Sequence, residues 1–111
     1  MQHIPIDEYV IDVLLPDLTG HEHSSPAFLV YIILWTALYR AEEKRVALSL
    51  HTLSEQTGLS KSAVQKAIRL LQRRGLIRVF KAHTTAVPEY ELVRHWVRRR
   101  AKENQSSARK L

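Results

Sequence analysis

At 111 residues the chain can bury one modest core and has no room for a second, ligand-sensing domain. Its composition, 45% hydrophobic and 25% charged, is that of an ordinary soluble globular protein, and the absence of cysteine excludes disulfides and thiolate metal sites and fits a cytoplasmic location. The net charge of +6 is unevenly placed: residues 1–59 carry three basic side chains against eight acidic ones, whereas residues 60–111 carry fourteen against three, an asymmetry that points to a polyanionic partner such as nucleic acid.

Met1 to Leu15 contains three acids and no Lys or Arg, so no signal peptide is expected there. Within it, Val10, Val13 and Leu14 fall at helical spacing behind acids that suit a helix start, and Pro16 is expected to end that helix. Residues 16–24 then read as a loop rich in turn formers. Ser25 as N-cap and Pro26 at the first helical position open a second helix through AFLVYIILWTALYRAEEK. Its apolar run, Ala27–Leu38, is broken only by Thr36 and is too short for a bilayer, which needs about 20 residues. The helix is apolar almost all round. Either the rest of the domain wraps it, or Tyr31, Trp35 and Tyr39 form a dimer seam.

Arg45–Leu50 reads as a short strand, and His51–Thr57 as a helix stopped by a left-handed Gly58. Ser60 can cap the next helix, SKSAVQKAIRLLQRRG, with Leu59 and Val64 placed as a hydrophobic staple and Gly75 as its stop. Leu76–Ala82 and Tyr90–Val93 follow as a hairpin, with Ile77, Val79 and Phe80 as candidate inward positions. Val93–Glu103 has a helical pattern, and the remaining NQSSARKL is a polar tail.

The stretch Leu50–His83 carries the functional signal. Val64, Ala67, Ile68 and Leu71 fall on one face of the helix from Ser60 to Arg74, and Lys61, Ser62, Gln65, Lys66 and Arg69 on the other. No acid occurs between Gln56 and Val87, so Lys61, Lys66, Arg69, Arg73 and Arg74 forgo the opposite-charge pairs that an ordinary exposed helix uses. Such a helix fits opposite phosphates.

The run LSLHTLSEQTGLSKSAVQKAIRLLQRRGLIRV resembles the winged helix-turn-helix of bacterial transcriptional regulators, the GntR-type and MarR-type groups among them. Leu53, the TGLS turn at Thr57–Ser60, the S-x-V-x-x-x-I-x-x-L pattern of Ser62–Leu71 and the RGLI stop at Arg74–Ile77 carry the resemblance, which covers about residues 46–92. It implies a mostly α fold with a small β-hairpin, a winged helix-turn-helix with extra N-terminal and C-terminal helices. It also implies sequence-specific binding of double-stranded DNA as a transcriptional regulator, with the Ser60–Arg74 helix in the major groove.

On that footing Gln65 is the candidate for a bidentate contact to adenine, and Arg69 for guanine or phosphate. Ser60 and Ser62 suit phosphate through hydroxyls and helix amides, and Lys61, Lys66 and Arg73 through charge. The wing, Lys81–Val87, offers Lys81, His83, Thr84 and Thr85 to the flanking backbone or minor groove, and departs from many wings in carrying neither Arg nor Gly near its tip. The expected organisation is a single domain over 1–103. Within it, 1–44 holds N-terminal helices and a possible dimer seam, 45–92 the helix-turn-helix and wing, and 93–103 a terminal helix, with 104–111 a tail. A homodimer is expected, because two half-sites raise the affinity that one small module can reach.

His21-x-His23 has no Cys and only scattered acids near it, and His3, His51, His83 and His95 show no ligand spacing, so no metal is expected. No nucleophile-base order, paired carboxylates or glycine-rich phosphate loop stands out, so neither catalysis nor a cofactor is expected. The Arg94–Lys102 segment can be a helix packed through Trp96 and Val97, or an arm for DNA, RNA or protein. Two other readings of the whole remain: a winged-helix adaptor in protein interaction, replication or plasmid maintenance, and RNA binding through that Arg-rich segment.

Overall fold

The computed structural model describes residues 2–97. Three α-helices, α1 (Ser25–Ala41), α2 (Leu50–Thr57) and α3 (Lys61–Arg73), pack with a small antiparallel sheet of β1 (Val46–Ala47), β2 (Ile77–Phe80) and β3 (Glu89–Leu92). The sheet order is β1-β3-β2, so the last strand lies in the middle. Among the described residues no helix is long and apolar enough to cross a membrane.

Ahead of α1 the chain is helical over residues 8–21, with two widened π-type turns at Val10–Leu14 and Asp17–His21. This corrects the expectation of a helix ended by Pro16 and a loop beyond it. A proline inside a regular helix collides with the carbonyl four residues back and lacks an N–H; widened turns relieve the collision, and the Thr19 hydroxyl donates to the Leu15 carbonyl at 2.7 Å. Burial supplies the driving force, since Val10, Leu14 and Leu18 all enter the core, while Ile11 and Val13 stay exposed. The N-cap of α1 is Ser24, one residue earlier than expected, with its hydroxyl accepting from the Ala27 N–H at 3.2 Å.

α1 is the central helix. Ala27, Val30, Tyr31, Leu34 and Trp35 are buried against the chain's own core, and the Trp35 indole donates to the Pro5 carbonyl at 2.9 Å. Tyr31 and Trp35 are thus enclosed by their own chain, and of the three residues weighed as a seam only Tyr39 is exposed. Burial raises the pKa of the Tyr31 phenol, which holds it neutral.

The C-terminal end of α3 is fixed twice. Gly75 takes a left-handed conformation (φ 68°), with its N–H donating to the Gln72 carbonyl and that of Leu76 to the Leu71 carbonyl, both at 2.9 Å. This is a Schellman arrangement, and Leu71 and Leu76 both enter the core beside it. Arg74 then forks onto Asp17 and onto Glu22, with 3.0 Å to Glu22 Oε1. Arg74 is therefore no part of an unpaired basic face; its partners come from the N-terminal helical segment rather than from α3. The Arg74 hydrogen bond and charge, with help from His21, hold the Asp17 carboxyl below the usual carboxylate range against a smaller effect of burial.

The described part of the C-terminal helix is short, covering 95–97; the expectation for Val93–Glu103 otherwise falls outside the described residues, as does the 104–111 tail. Its start is anchored by Trp96, whose ring stacks on Tyr9 at 4.4 Å and whose indole donates to Asp7 at 2.8 Å.

Because the folded-state acidity of Asp17 is raised, its contribution to stability is full above the ordinary carboxylate range and is lost as pH falls through the lowered value. Asp17→Asn and Arg74→Ala should each cost about 1–2 kcal/mol at neutral pH in denaturant unfolding. The Asp17→Asn deficit should shrink on acidification; a deficit independent of pH would show that the carboxylate charge is not what Arg74 uses.

Candidate nucleic-acid interface

The turn between α2 and α3 is built from small polar side chains. Ser49 caps α2 by accepting from the Thr52 N–H at 3.1 Å, which starts that helix at Leu50. Gly58 follows α2 at φ 78°, a conformation that disfavours a side chain, and its N–H donates to the Ser54 carbonyl at 2.9 Å. The Thr57 hydroxyl donates to the Leu53 carbonyl at 2.6 Å and accepts from the Leu59 N–H at 3.2 Å, while the Ser54 hydroxyl donates to the Leu59 carbonyl. Ser60 caps α3, accepting from the Ala63 N–H at 3.1 Å. The angle between the two helices is thereby set by local hydrogen bonds before any packing is considered.

Packing then decides which way α3 faces. Val64, Ala67, Ile68 and Leu71 are all buried, and Leu59, the staple residue, packs on the same core. Lys61, Ser62, Gln65, Lys66 and Arg69 are all exposed, on an arc of about 140° opposite that stripe. Among the described residues Lys61, Lys66 and Arg69 make no ion pair. Arg73 is exposed as well, with Glu22 at 4.0 Å.

The wing joins this surface along one side. A groove of ≈ 450 Å³ runs between α3 and the 81–88 loop, with Gln65 and Arg69 on the helix side and Lys81, Thr84 and Thr85 on the loop side. Ser60, Lys61, Ser62, Lys66 and Arg73 lie outside the groove, on the rest of α3. His83 is at the exposed tip, with Nδ1 3.1 Å from the Thr85 hydroxyl, and the Lys81 ammonium donates to the Thr84 carbonyl at 3.2 Å. Ser49, Leu50 and Val87 also line the groove, and sequence reasoning missed all three. Ser49 could have been found as the N-cap that α2 required.

The wing's direction is held by a ladder across the outer face of the sheet. Glu91 on β3 accepts from Arg45 Nε at 3.2 Å and from Arg78 at 3.0 Å, and the Arg45 guanidinium lies 3.7 Å from the centre of the Phe80 ring. Phe80 is thus on the outer face, whereas Ile77 and Val79 point to the core, where Val79 pairs with buried Tyr90. Burial works to raise the Glu91 pKa, but the Arg45 hydrogen bond and the charges of Lys44, Arg78 and Arg45 outweigh it and hold the carboxyl ionised. Burial also pushes the Tyr90 phenol up to about 12.

His21 and Asp17 meet at 3.3 Å on one helical turn, and among the described residues no group of three or more His, Cys, Asp or Glu could hold a metal ion. The Arg94–Lys102 segment is described as far as Val97; there Arg94 pairs with Asp7, and Arg98 to Lys102 lie outside the described residues.

Residues 34–83, from the middle of α1 to the wing, match the family model of the MarR family. Over these residues the chain is similar to the MarR family, and its fold is that of a winged helix-turn-helix domain. The helices, the Gly58 turn and the three-stranded sheet described above are that fold, and its class is that of DNA-binding transcription regulators. No curated protein and no solved structure matches the chain.

Lys66 and Arg69, exposed and without an ion pair among the described residues, are expected to add little to folding stability. Lys66→Ala with Arg69→Ala should unfold within about 0.5 kcal/mol of the parent, in contrast to Arg74→Ala. A loss of more than that in calorimetry would mean that these side chains have structural partners.

Proposed function

We propose that this regulator binds double-stranded DNA sequence-specifically, with α3 lying in the major groove. One observation carries the reading: Lys61, Lys66 and Arg69 stand without ion-pair partners among the described residues, on a face whose opposite side is fully buried. Cations left unpaired on a rigid helix suit a row of phosphates, and the amide of Gln65 between them suits a bidentate contact to adenine. Arg69 reads guanine or clasps phosphate. Ser60 and Ser62 take phosphate at the helix start, with Lys61, Lys66 and Arg73 beside them. Lys81, His83, Thr84 and Thr85 meet the flanking backbone from the wing.

Two copies act together in this reading, since one such module buries little DNA and a twofold protein matches a palindromic site. The seam is the N-terminal helical segment, where Ile11 and Val13 are exposed, with α1 beside it. The protein works in the cytoplasm, without cofactor or catalytic step.

Selection from a random duplex pool is expected to enrich a palindrome, and Gln65→Ala to relax its specificity at one position per half-site. Each cation that neutralises a phosphate steepens the fall of affinity with salt by about 0.9 on a log–log plot, so Lys66→Ala with Arg69→Ala should flatten that slope by roughly two. An unchanged slope would remove α3 from the DNA.

A further inference from the structure

Every acid of residues 1–15, Asp7, Glu8 and Asp12, lines one open groove of ≈ 620 Å³. The stacked rings of Tyr9 and Trp96, with the exposed Val13 and Val97, supply its apolar lining. Arg94 is its one cation among the described residues, and that guanidinium is held by Asp7 at 2.6 Å. Glu8 and Asp12 are different. Both are exposed, they lie four residues apart in the helical segment over 8–21, and neither makes an ion pair among the described residues. Like charges one turn apart repel and work against the helix that carries them. The groove therefore calls for a cation with an apolar stem.

The chain brings such cations to this place. Arg94 and Trp96 both donate to Asp7 Oδ2, and Val97, the last described residue, lines the groove. The next three residues in the sequence are Arg98, Arg99 and Arg100, with Lys102 beyond them and no acid before Glu103. Three residues reach at most about 10 Å, so these side chains start within range of the groove. A tether this short gives them an effective concentration on the order of millimolar, which a free cationic ligand seldom matches.

We propose that the Arg98–Lys102 stretch docks in this groove, with its guanidinium groups on Glu8 and Asp12, and is thereby withheld from DNA. It continues the contact that Arg94 and Trp96 begin. The groove acts as an internal polyanion that competes with phosphate for the densest run of cations in the chain. Specificity gains from this, because a free arginine run binds any duplex alike. The effect on duplex rests on the docking of α3, whereas the groove contact does not.

Two measurements on the full chain test the proposal. Carbodiimide joins a carboxylate to an amine at zero length, and it should link Glu8 or Asp12 to Lys102, as read by peptide mass spectrometry. In an equal mixture of isotopically light and heavy protein the link should stay within one isotopic form. It should fall severalfold when Arg98→Gln, Arg99→Gln and Arg100→Gln are combined. Absence of the link would overturn the proposal, and light–heavy links would overturn it by assigning the groove to a second copy.

The second measurement is the salt dependence of binding to a random-sequence duplex. Glu8→Gln with Asp12→Asn frees the arginines, so the log–log slope should steepen by about one to three, at about 0.9 per cation. Adding the three arginine substitutions should remove that gain. Those three substitutions alone should leave the parental slope unchanged; a slope flattened by roughly two would place the arginines on DNA in the parent and overturn the proposal. A slope unaltered by Lys66→Ala would count against α3 docking instead, and the carbodiimide result would still decide the groove contact.

Discussion

Burial of one stripe on α3 orders everything else in this molecule. Val64, Ala67, Ile68 and Leu71 must leave water, and α1 and α2 supply the core that takes them in. Once that stripe is inside, the rotation of the helix about its axis is settled, and Lys61, Gln65, Lys66 and Arg69 have only the outside to occupy. The same constraint explains the apolar circumference of α1, which meets α3 on one side and the N-terminal helical segment and sheet on others. A truncation such as Leu71→Ala would loosen the core and free the orientation of the basic face together.

Charge is sorted by the fold into two roles. Arg74, Arg45, Arg78 and Arg94 are bound to carboxylates and hold elements together: the end of α3 to the N-terminal segment, the sheet across its outer face, and the C-terminal arm to Asp7. Lys61, Lys66 and Arg69 stay outside these networks. The acids of the first half are thus not merely a counterweight to a basic second half. Asp17, Glu22 and Asp7 reach across the chain and neutralise particular arginines, and among the described residues Lys61, Lys66 and Arg69 are left without an ion pair on the exposed face of α3.

Much of this was legible in the residues because the signals were local. Ser60, Gly58 and Gly75 mark helix boundaries by chemistry that acts within five residues, and the period of the apolar positions gave the inner face of α3. The structure departs from that reading where distant partners decide. Helical continuation through Pro16 depends on the burial of Leu18 and on widened turns, neither of which has a local signature. The Arg74 pairs join residues 52 and 57 positions apart, so an acid-free helix looked more exposed in charge than it is. An all-apolar helix cannot reveal whether its own chain or a second copy covers it, and the burial of Tyr31 and Trp35 needed the fold. In the candidate site the helix residues were readable, whereas the groove was not, since its second wall depends on the direction of the wing that Glu91 fixes.

The central claim is that the outward face of α3 is the surface that meets DNA. Site-specific photocrosslinking tests it most directly, with a photoreactive side chain placed at Gln65 in one protein and at Ile11, on the N-terminal segment, in another. Both positions are exposed, so neither replacement disturbs the core. The account predicts duplex crosslinks from Gln65 that disappear under excess unlabelled duplex, and none from Ile11. Crosslinks from Ile11 with none from Gln65 would contradict it.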